Sequence, residues 1–362
     1  MEHSAVACRD RCLDAYEKGD CALALELVDQ GLARYDDYPD LYFLKGLMLQ
    51  ELSLLPQAAA CFSRCTRFRQ IPAGYDSWEG ITGYPSLFPL AEISARIGAV
   101  EAAAEFLQQA WAEGKDLASR FDDLDRFARL LHKRGLEPAA IAALLQERLP
   151  LDDMAVARML YRMGEVAAAL ARVEQAADRP TLLLKGFCLL ALGRHEEAEK
   201  AFQWIPLDSP SGMEALIGRL ICLWRSAAVH PLAITKLLGE YAADRGHLMV
   251  AKELLRSVLE EGADAPAAAA AHACLCRVKA ARGDAEAAFT HSLAAMRLAP
   301  ENSACAKAAV EQALPQCRTL VAAALAEEGE SAVLRHTAIQ LLSTQCQIRR
   351  LREAPVHGDE NA

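Results

Sequence analysis

Small and apolar residues recur at fixed spacings along this chain. Gly46 is followed by an alanine 12 positions later and a phenylalanine 16 positions later, and Gly186 is followed by the same two types at the same distances. A second pattern places an alanine five positions after a small residue. It occurs at eight places: Gly19, Ser53, Gly98, Gly135, Gly164, Gly193, Gly246 and Gly283. This pattern predicts helical hairpins, because glycine tolerates the left-handed conformation that ends a helix and alanine lets the next helix pack closely.

The intervals between these small residues vary. The interval is 34 residues from Gly19 to Ser53 but 29 on each side of Gly164, which predicts shortened helices there. The longest interval, 193–246, contains a loop rich in Pro and Ser followed by an apolar stretch near 213–225. That stretch predicts an extra helix outside the regular repeat.

The hairpin pattern resembles the tetratricopeptide repeat (TPR). The segments "LGRHEEAEKAF" (192–202) and "GDAEAAFTHSLAAMRLAP" (283–300) carry the resemblance. It implies an all-α fold, a TPR-type α-solenoid in which helical hairpins form a right-handed superhelix. We expect an N-terminal TPR array over 4–206. An irregular helix, further TPR units and a C-terminal cap follow over 207–348, and 349–362 is expected to be a disordered tail.

Composition and charge support a helical protein and narrow its partners. Hydrophobic residues make up 53% of the chain and aromatic residues only 6%, which suits close-packed helices better than sheets. The formal net charge of −10 arises from interleaved acidic and basic residues, which disfavours nucleic acid as a partner. We find neither a signal peptide nor an apolar run long enough for a membrane span, so a cytoplasmic location is predicted.

The cysteines and the motif search predict no metal, no cofactor and no catalysis. Twelve cysteines are scattered through Ala-rich segments, as expected for reduced and mostly buried thiols. The cluster from His272 to Cys276 has ligands two positions apart, which point in different directions on a helix. Two cysteine pairs share a helical face but lack a second ligand pair: Cys8 with Cys12, and Cys61 with Cys65. The chain has no Gly-rich phosphate loop, no GxSxG elbow and no HExxH motif.

A second resemblance is restricted to the first third of the chain. Residues from about 12 to 135, above all "YPDLYFLKG" (38–46) and "YDSWEGITGY" (75–84), resemble the TPR region that follows the catalytic domain in some bacterial family 2 glycosyltransferases. The resemblance implies a bacterial protein with a glycosyltransferase or its acceptor as a candidate partner. No alternation of strands and helices flanks the repeats, so the chemistry of those enzymes is not expected. The acidic motif of those enzymes has a match at Asp123-Leu-Asp125, but this match opens an amphipathic helix.

An aromatic, Gly-rich loop interrupts the helical pattern at 71–85. Its aromatic residues Tyr75, Trp78 and Tyr84 allow two interpretations. They fold back over the apolar edge between two repeats, or they form an exposed platform that grips a peptide or sugar.

The inner helices of a TPR array predict a candidate concave binding face. The predicted face comprises Arg126, Arg129, His132, Lys133, Arg158, Tyr161 and Arg162. Two interpretations stay open for the arginines and the lysine of this face. They bind carboxylates or phosphates of a partner, or they pair with neighbours such as Asp122 and Asp125. The next unit presents Leu183, Phe187 and Leu190, as groove or as core.

The sequence therefore predicts a non-catalytic TPR scaffold that binds a protein or peptide partner in its concave groove. The alternative is an accessory or detached C-terminal part of a family 2 glycosyltransferase, which holds the acceptor or the catalytic partner. A chaperone-type carboxylate clamp is not expected, because the only asparagines are Asn302 and Asn361. The partner's identity and the oligomeric state stay open.

Overall fold

The computed structural model describes residues 4–68, 71, 75–113, 120–175, 178–226 and 232–299. All regular elements in these ranges are α-helices, which form two compact units. The helices of the first unit are α1 (Ala5–Glu17), α2 (Cys21–Leu32), α3 (Pro39–Glu51), α4 (Leu55–Thr66), α5 (Tyr84–Ile97) and α6 (Val100–Ala112). Those of the second unit are α7 (Phe121–Lys133), α8 (Pro138–Arg148), α9 (Asp153–Met163), α10 (Val166–Val173), α11 (Arg179–Ala191), α12 (His195–Gln203), α13 (Gly212–Ser226), α14 (Leu232–Asp244), α15 (Leu248–Glu260), α16 (Ala265–Ala281) and α17 (Ala285–Leu298).

The helices pack as successive antiparallel hairpins, and the eight small residues predicted at the turns all have positive φ. The seven glycines have φ between 76° and 94°, and Ser53, which takes the place of a glycine, has φ of 60°. Glycine adopts this conformation without the steric penalty that a Cβ brings. The prediction of an all-α chain of TPR-type helical hairpins is confirmed.

The alanine five positions after each turn is fully buried in seven of the eight hairpins. The exception is Ala140, which is exposed, and the prediction is wrong there. The reason is a turn that is one residue longer: α8 begins at Pro138, three positions after Gly135, whereas the other second helices begin two positions after the small residue. Ile141 consequently occupies the buried position.

The irregular interval contains the extra helix that the sequence predicts. Helix α13 packs on α11 and α12, and α14 pairs with α15 in a regular hairpin. The shortened unit around Gly164 is also present, since α10 has only 8 residues. The predicted domain limits at 206 and 348 stay predictions, and the predicted cap and tail lie outside the described residues.

Two further features of the described ranges bear on function. The nine cysteines described there are free thiols, and seven of them are buried. No helix in these ranges combines the length and the apolarity needed to cross a bilayer.

Candidate functional site

An ion-pair network around Asp125 connects α7 and α9, the two helices of the predicted binding face. The side chain of Asp125 is 1% exposed, and its Oδ2 lies 2.8 Å from Nη1 of Arg129 and 3.3 Å from Nη1 of Arg162. The same Arg162 nitrogen lies 2.7 Å from Oδ1 of Asp122. Burial raises the pKa of Asp125, and the hydrogen bond from Arg162 lowers the pKa of Asp122. Two of the predicted binding arginines, Arg129 of α7 and Arg162 of α9, are therefore already paired with acids of α7.

The remaining predicted residues of α7 lie outside the cavity described below. Arg126 pairs with Asp123 at 3.0 Å, and Nδ1 of His132 lies 3.0 Å from the carbonyl oxygen of Leu136. The Lys133 side chain lies against the turn between α16 and α17. All three predicted side chains are exposed on the surface of the second unit.

A cavity of about 210 Å³ opens between α9, α11, α13 and the turn before α15. One wall is apolar and consists of Met154, Pro180, Leu183, Leu184 and Phe187. The polar lining includes three of the predicted residues and three others: Arg158, Tyr161 and Arg162, together with Glu214, Arg245 and His247. Sequence reasoning placed Leu183 and Phe187 on the inner face, and both line this cavity.

A chain of hydrogen bonds links Tyr161, His247 and Glu214 at the base of the cavity. Nε2 of His247 lies 2.7 Å from Oε1 of Glu214, and Nδ1 lies 3.3 Å from the Tyr161 hydroxyl. The ring of Phe187 stacks on the imidazole, with 3.4 Å between centroids. Burial lowers the pKa of His247, so the imidazole is neutral at pH 7. It therefore donates from Nε2 to the carboxylate and accepts at Nδ1 from the phenol.

Arg158 and Arg245 differ from the other arginines of the site. Arg158 lies over the ring of Phe121, with 4.2 Å from Cζ to the ring centroid, and Arg245 lies over Tyr241 at 5.5 Å. Neither forms an ion pair with a carboxylate in the described part of the chain. Burial and the neighbouring Arg162 lower the pKa of Arg158, although its side chain still reaches solvent. These two guanidinium groups are available to an anionic group that enters the cavity.

The aromatic loop belongs to the first unit, and its rings pack on the protein. The hydroxyl of Tyr75 donates to Oδ1 of Asp37 at 2.7 Å, and the backbone N–H of Trp78 donates to Asp40 at 3.1 Å. The Trp78 ring also lies 5.0 Å below the guanidinium of Arg9.

The third aromatic residue of the loop is positioned by its own helix. Tyr84 stacks on Phe88, with 5.6 Å between ring centroids. All three predicted rings are half-buried, and those of Tyr75 and Trp78 pack against the buried core formed by α1, α2 and α3. Their use as a binding platform stays a prediction.

Sequence reasoning missed Glu214, Arg245 and His247. Arg245 and His247 flank the turn glycine Gly246, where the sequence signals a hairpin turn and gives no sign of a site. Glu214 lies in the irregular interval, whose helix could not be aligned with a repeat position. The packing of α13 against the turn before α15 brings the three residues together.

Comparisons with known proteins give structural similarity alone. No protein-family model and no curated protein matches the chain. The C-terminal part of a TPR repeat-containing protein from Cytophaga hutchinsonii is 12% identical, with a TM-score of 0.34 over 83% of this chain and 98% of its own. Yeast Tom70 is 12% identical, with a TM-score of 0.26 over 97% of either chain. Scores this low give no information on partners, and the assignment of the fold rests on the hairpins described above.

Proposed function

We propose that this protein is a non-catalytic scaffold that holds an acidic segment of a protein partner in the cavity between α9, α11 and α13. The observation that carries the proposal is the pair Arg158 and Arg245, which line one cavity and form no ion pair with a carboxylate of the described residues. A guanidinium binds a carboxylate through charge-assisted hydrogen bonds, each worth about 1.5–3 kcal/mol. The cavity therefore supplies two guanidinium groups that can bind a carboxylate.

The apolar wall adds contact area beside these cations. Leu183 and Phe187 face the same cavity, so a segment with an aliphatic stem next to its carboxylate gains burial as well as charge. The chain as a whole carries a net charge of −10, so an acidic partner is repelled by most of the surface and attracted at this place. We therefore expect an acidic partner to bind at this cavity and not elsewhere on the surface, and we expect salt to weaken the binding.

The hydrogen bonding of Tyr161 and His247 supports the proposal that the protein is not a catalyst. The phenol of Tyr161 and the imidazole of His247 are both buried and hydrogen-bond to each other. Burial raises the pKa of Tyr161 well above its usual value, which disfavours a nucleophilic phenolate. These groups act as a rigid base for the cavity. The predicted cytoplasmic location remains part of the proposal.

The test is the binding of acidic peptides to the full chain. Fluorescence anisotropy would compare an N-acetylated, Glu-rich peptide with the same peptide carrying Gln at each Glu. We expect only the acidic peptide to bind, and the double variant Arg158→Gln/Arg245→Gln to weaken that binding at least about tenfold. The matched control is Arg256→Gln/Arg297→Gln, which removes two exposed arginines of the same unit outside the cavity. Equal binding of the two peptides, or equal loss in both variants, would contradict the proposal.

The second hypothesis, an accessory part of a family 2 glycosyltransferase, rests on the sequence resemblance alone. It would require the partner to be such an enzyme or its acceptor. A photo-crosslinking amino acid in place of Leu183 would identify what occupies the cavity in cells. An occupant unrelated to glycan synthesis would exclude this alternative while leaving the scaffold proposal intact.

A further inference from the structure

The cavity contains one negative charge as well as its cations. Oε1 of Glu214 accepts the hydrogen bond from His247 at 2.7 Å, and 21% of the Glu214 side chain is exposed. Its second oxygen, Oε2, accepts no hydrogen bond from the described residues. The hydrogen bond from His247 lowers the pKa of Glu214, so the carboxylate is ionised at neutral pH. Half of this carboxylate is thus left for a ligand.

Charges of both signs therefore face the cavity without pairing across it. Arg158 and Arg245 are close enough to lower the pKa of Glu214 further, but neither forms an ion pair with it. Arg162 also lines the cavity, but its guanidinium already donates to Asp122 and Asp125, so it is not counted among the groups that bind the ligand. Two cations, Arg158 and Arg245, and one anion, Glu214, are therefore available to a ligand in the cavity.

The size of this space limits the ligand to about one residue. Drug-sized pockets span roughly 300–1,000 Å³, and this cavity is smaller, at about 210 Å³. Its apolar side, formed by Met154, Leu183 and Phe187, suits a short aliphatic stem. A long peptide could place one residue here but could not bury several.

We propose that the cavity recognises an acidic amino-acid residue that carries a free ammonium group. Its side-chain carboxylate binds the guanidinium groups of Arg158 and Arg245, and its ammonium group binds Oε2 of Glu214. This inference rests on the proposed function, because it concerns the same cavity and adds the requirement for a positive group. An acidic residue at the N-terminus of a partner provides this chemistry, and so does free L-glutamate.

The experiment compares ligands with and without the ammonium group. Calorimetric titrations of the full chain would use the peptide H-Glu-Glu-Ala-Ala-NH₂ and its N-acetylated form, and L-glutamate and N-acetyl-L-glutamate. We expect acetylation to weaken binding at least about tenfold, because it removes a charge-assisted contact and leaves Glu214 unpaired beside the ligand. Binding by the peptide alone would assign the site to a chain terminus, and binding by L-glutamate alone would assign it to a small molecule.

The variant Glu214→Gln should change the binding affinity in opposite directions for ligands with a free ammonium group and for acetylated ligands. It should weaken the binding of ligands with a free ammonium group by about tenfold and strengthen the binding of acetylated ligands, because it removes a negative charge near their carboxylates. The glutamine side-chain oxygen still accepts from His247, so the base of the cavity is retained. Glu196→Gln, at an exposed position of α12, is the matched control. Thermal unfolding would verify that both variants fold.

The possible failures are distinguishable. If free and acetylated acidic ligands bind equally and Glu214→Gln shifts both in the same direction, the requirement for an ammonium group is wrong while the acidic-segment scaffold stands. If no acidic ligand binds, both proposals fail. If L-glutamate binds and acidic peptides do not, the ligand class proposed here is retained and the protein partner is lost.

Discussion

The phenyl ring of Phe202 packs directly against the backbone of Gly186. A Cβ added at Gly186 would lie 2.4 Å from Cε1 of that ring, which is closer than non-bonded carbon atoms approach. Phe62 and Gly46 repeat the same contact in the first unit, where the corresponding distance is 2.8 Å. The 16-residue spacing seen in the sequence therefore encodes a contact between the two helices of one hairpin.

The first prediction concerns this contact. We expect Gly186→Ala to destabilise the protein by about 1–3 kcal/mol, because the added methyl group overpacks the hairpin. Urea unfolding followed by circular dichroism measures the change. The double variant Gly186→Ala/Phe202→Leu should recover part of the loss, since leucine can leave room for the methyl group. A Gly186→Ala protein as stable as the wild type would show that the helices adjust freely.

The second prediction concerns the buried carboxylate of the ion network. Asp125→Asn should cost about 1–3 kcal/mol, because Arg129 loses its ion-pair partner and Arg162 keeps only Asp122. The burial that raises the pKa of Asp125 offsets part of the stabilisation by its charge and keeps the loss below that of a fully buried pair. Urea unfolding measures the loss. The control is Asp14→Asn, which breaks an exposed pair with Lys18 and should cost about 0.5 kcal/mol or less. Similar losses in the two variants would mean that the network around Asp125 is solvated.

The third prediction concerns pH. Because burial lowers the pKa of His247 below 6.5, the unfolded chain binds a proton that the folded chain rejects. The free energy of unfolding should therefore be greatest above pH 6.5 and fall as the pH drops below it, by up to about 1.4 kcal/mol per pH unit for this group. The groups facing the imidazole are Tyr161, Glu214, Arg162 and Arg245. The lowered pKa of Glu214 acts in a separate range, since its contribution is lost only below its usual value of 4.5.

The variant His247→Gln tests the pH prediction. Its free energy of unfolding should fall less steeply between pH 7.5 and 5.5 than that of the wild type, although His195, His272 and His291, whose pKa values burial also lowers, retain part of the slope. His132→Gln, at an exposed position, is the control. An unchanged slope in His247→Gln would contradict the prediction.

The fourth prediction concerns the aromatic loop. Asp40 is fully buried and accepts hydrogen bonds from Arg9, Tyr38, Ser77 and the backbone N–H of Trp78. Asp40→Asn should destabilise the protein by about 3 kcal/mol, since Arg9 loses its buried counter-ion. Tryptophan fluorescence should also shift to the red as Trp78 becomes solvated.

The matched control for the loop is Asp37→Asn. An asparagine oxygen can still accept from the Tyr75 hydroxyl, so the expected loss is below about 1 kcal/mol. A small effect of Asp40→Asn would contradict this prediction. It would mean that only the packing of its aromatic rings holds the loop, which would favour its use as a binding platform.

The sequence predicts contacts within a hairpin better than contacts between distant hairpins. Gly186 with Phe202 and the glycine turns follow from short spacings, because a helical hairpin fixes which positions meet. The residues Glu214 and His247 are 33 positions apart, and their contact depends on how α13 packs after the irregular loop. Local patterns carry no information on that packing. The offset of Ala140 has the same origin, since one extra turn residue is invisible in the Gly-to-Ala spacing.

The hydrogen bond between Tyr161 and His247 joins helices that are not neighbours in the order of the repeats. In repeat proteins whose units contact only their neighbours, folding can begin in any unit and spread from one unit to the next. In the second unit, the contact between α9 and the start of α15 closes a loop of 86 residues, and the hairpins within that loop cannot separate one at a time without breaking it. The helices from α9 to α15 should therefore melt together in a single cooperative transition.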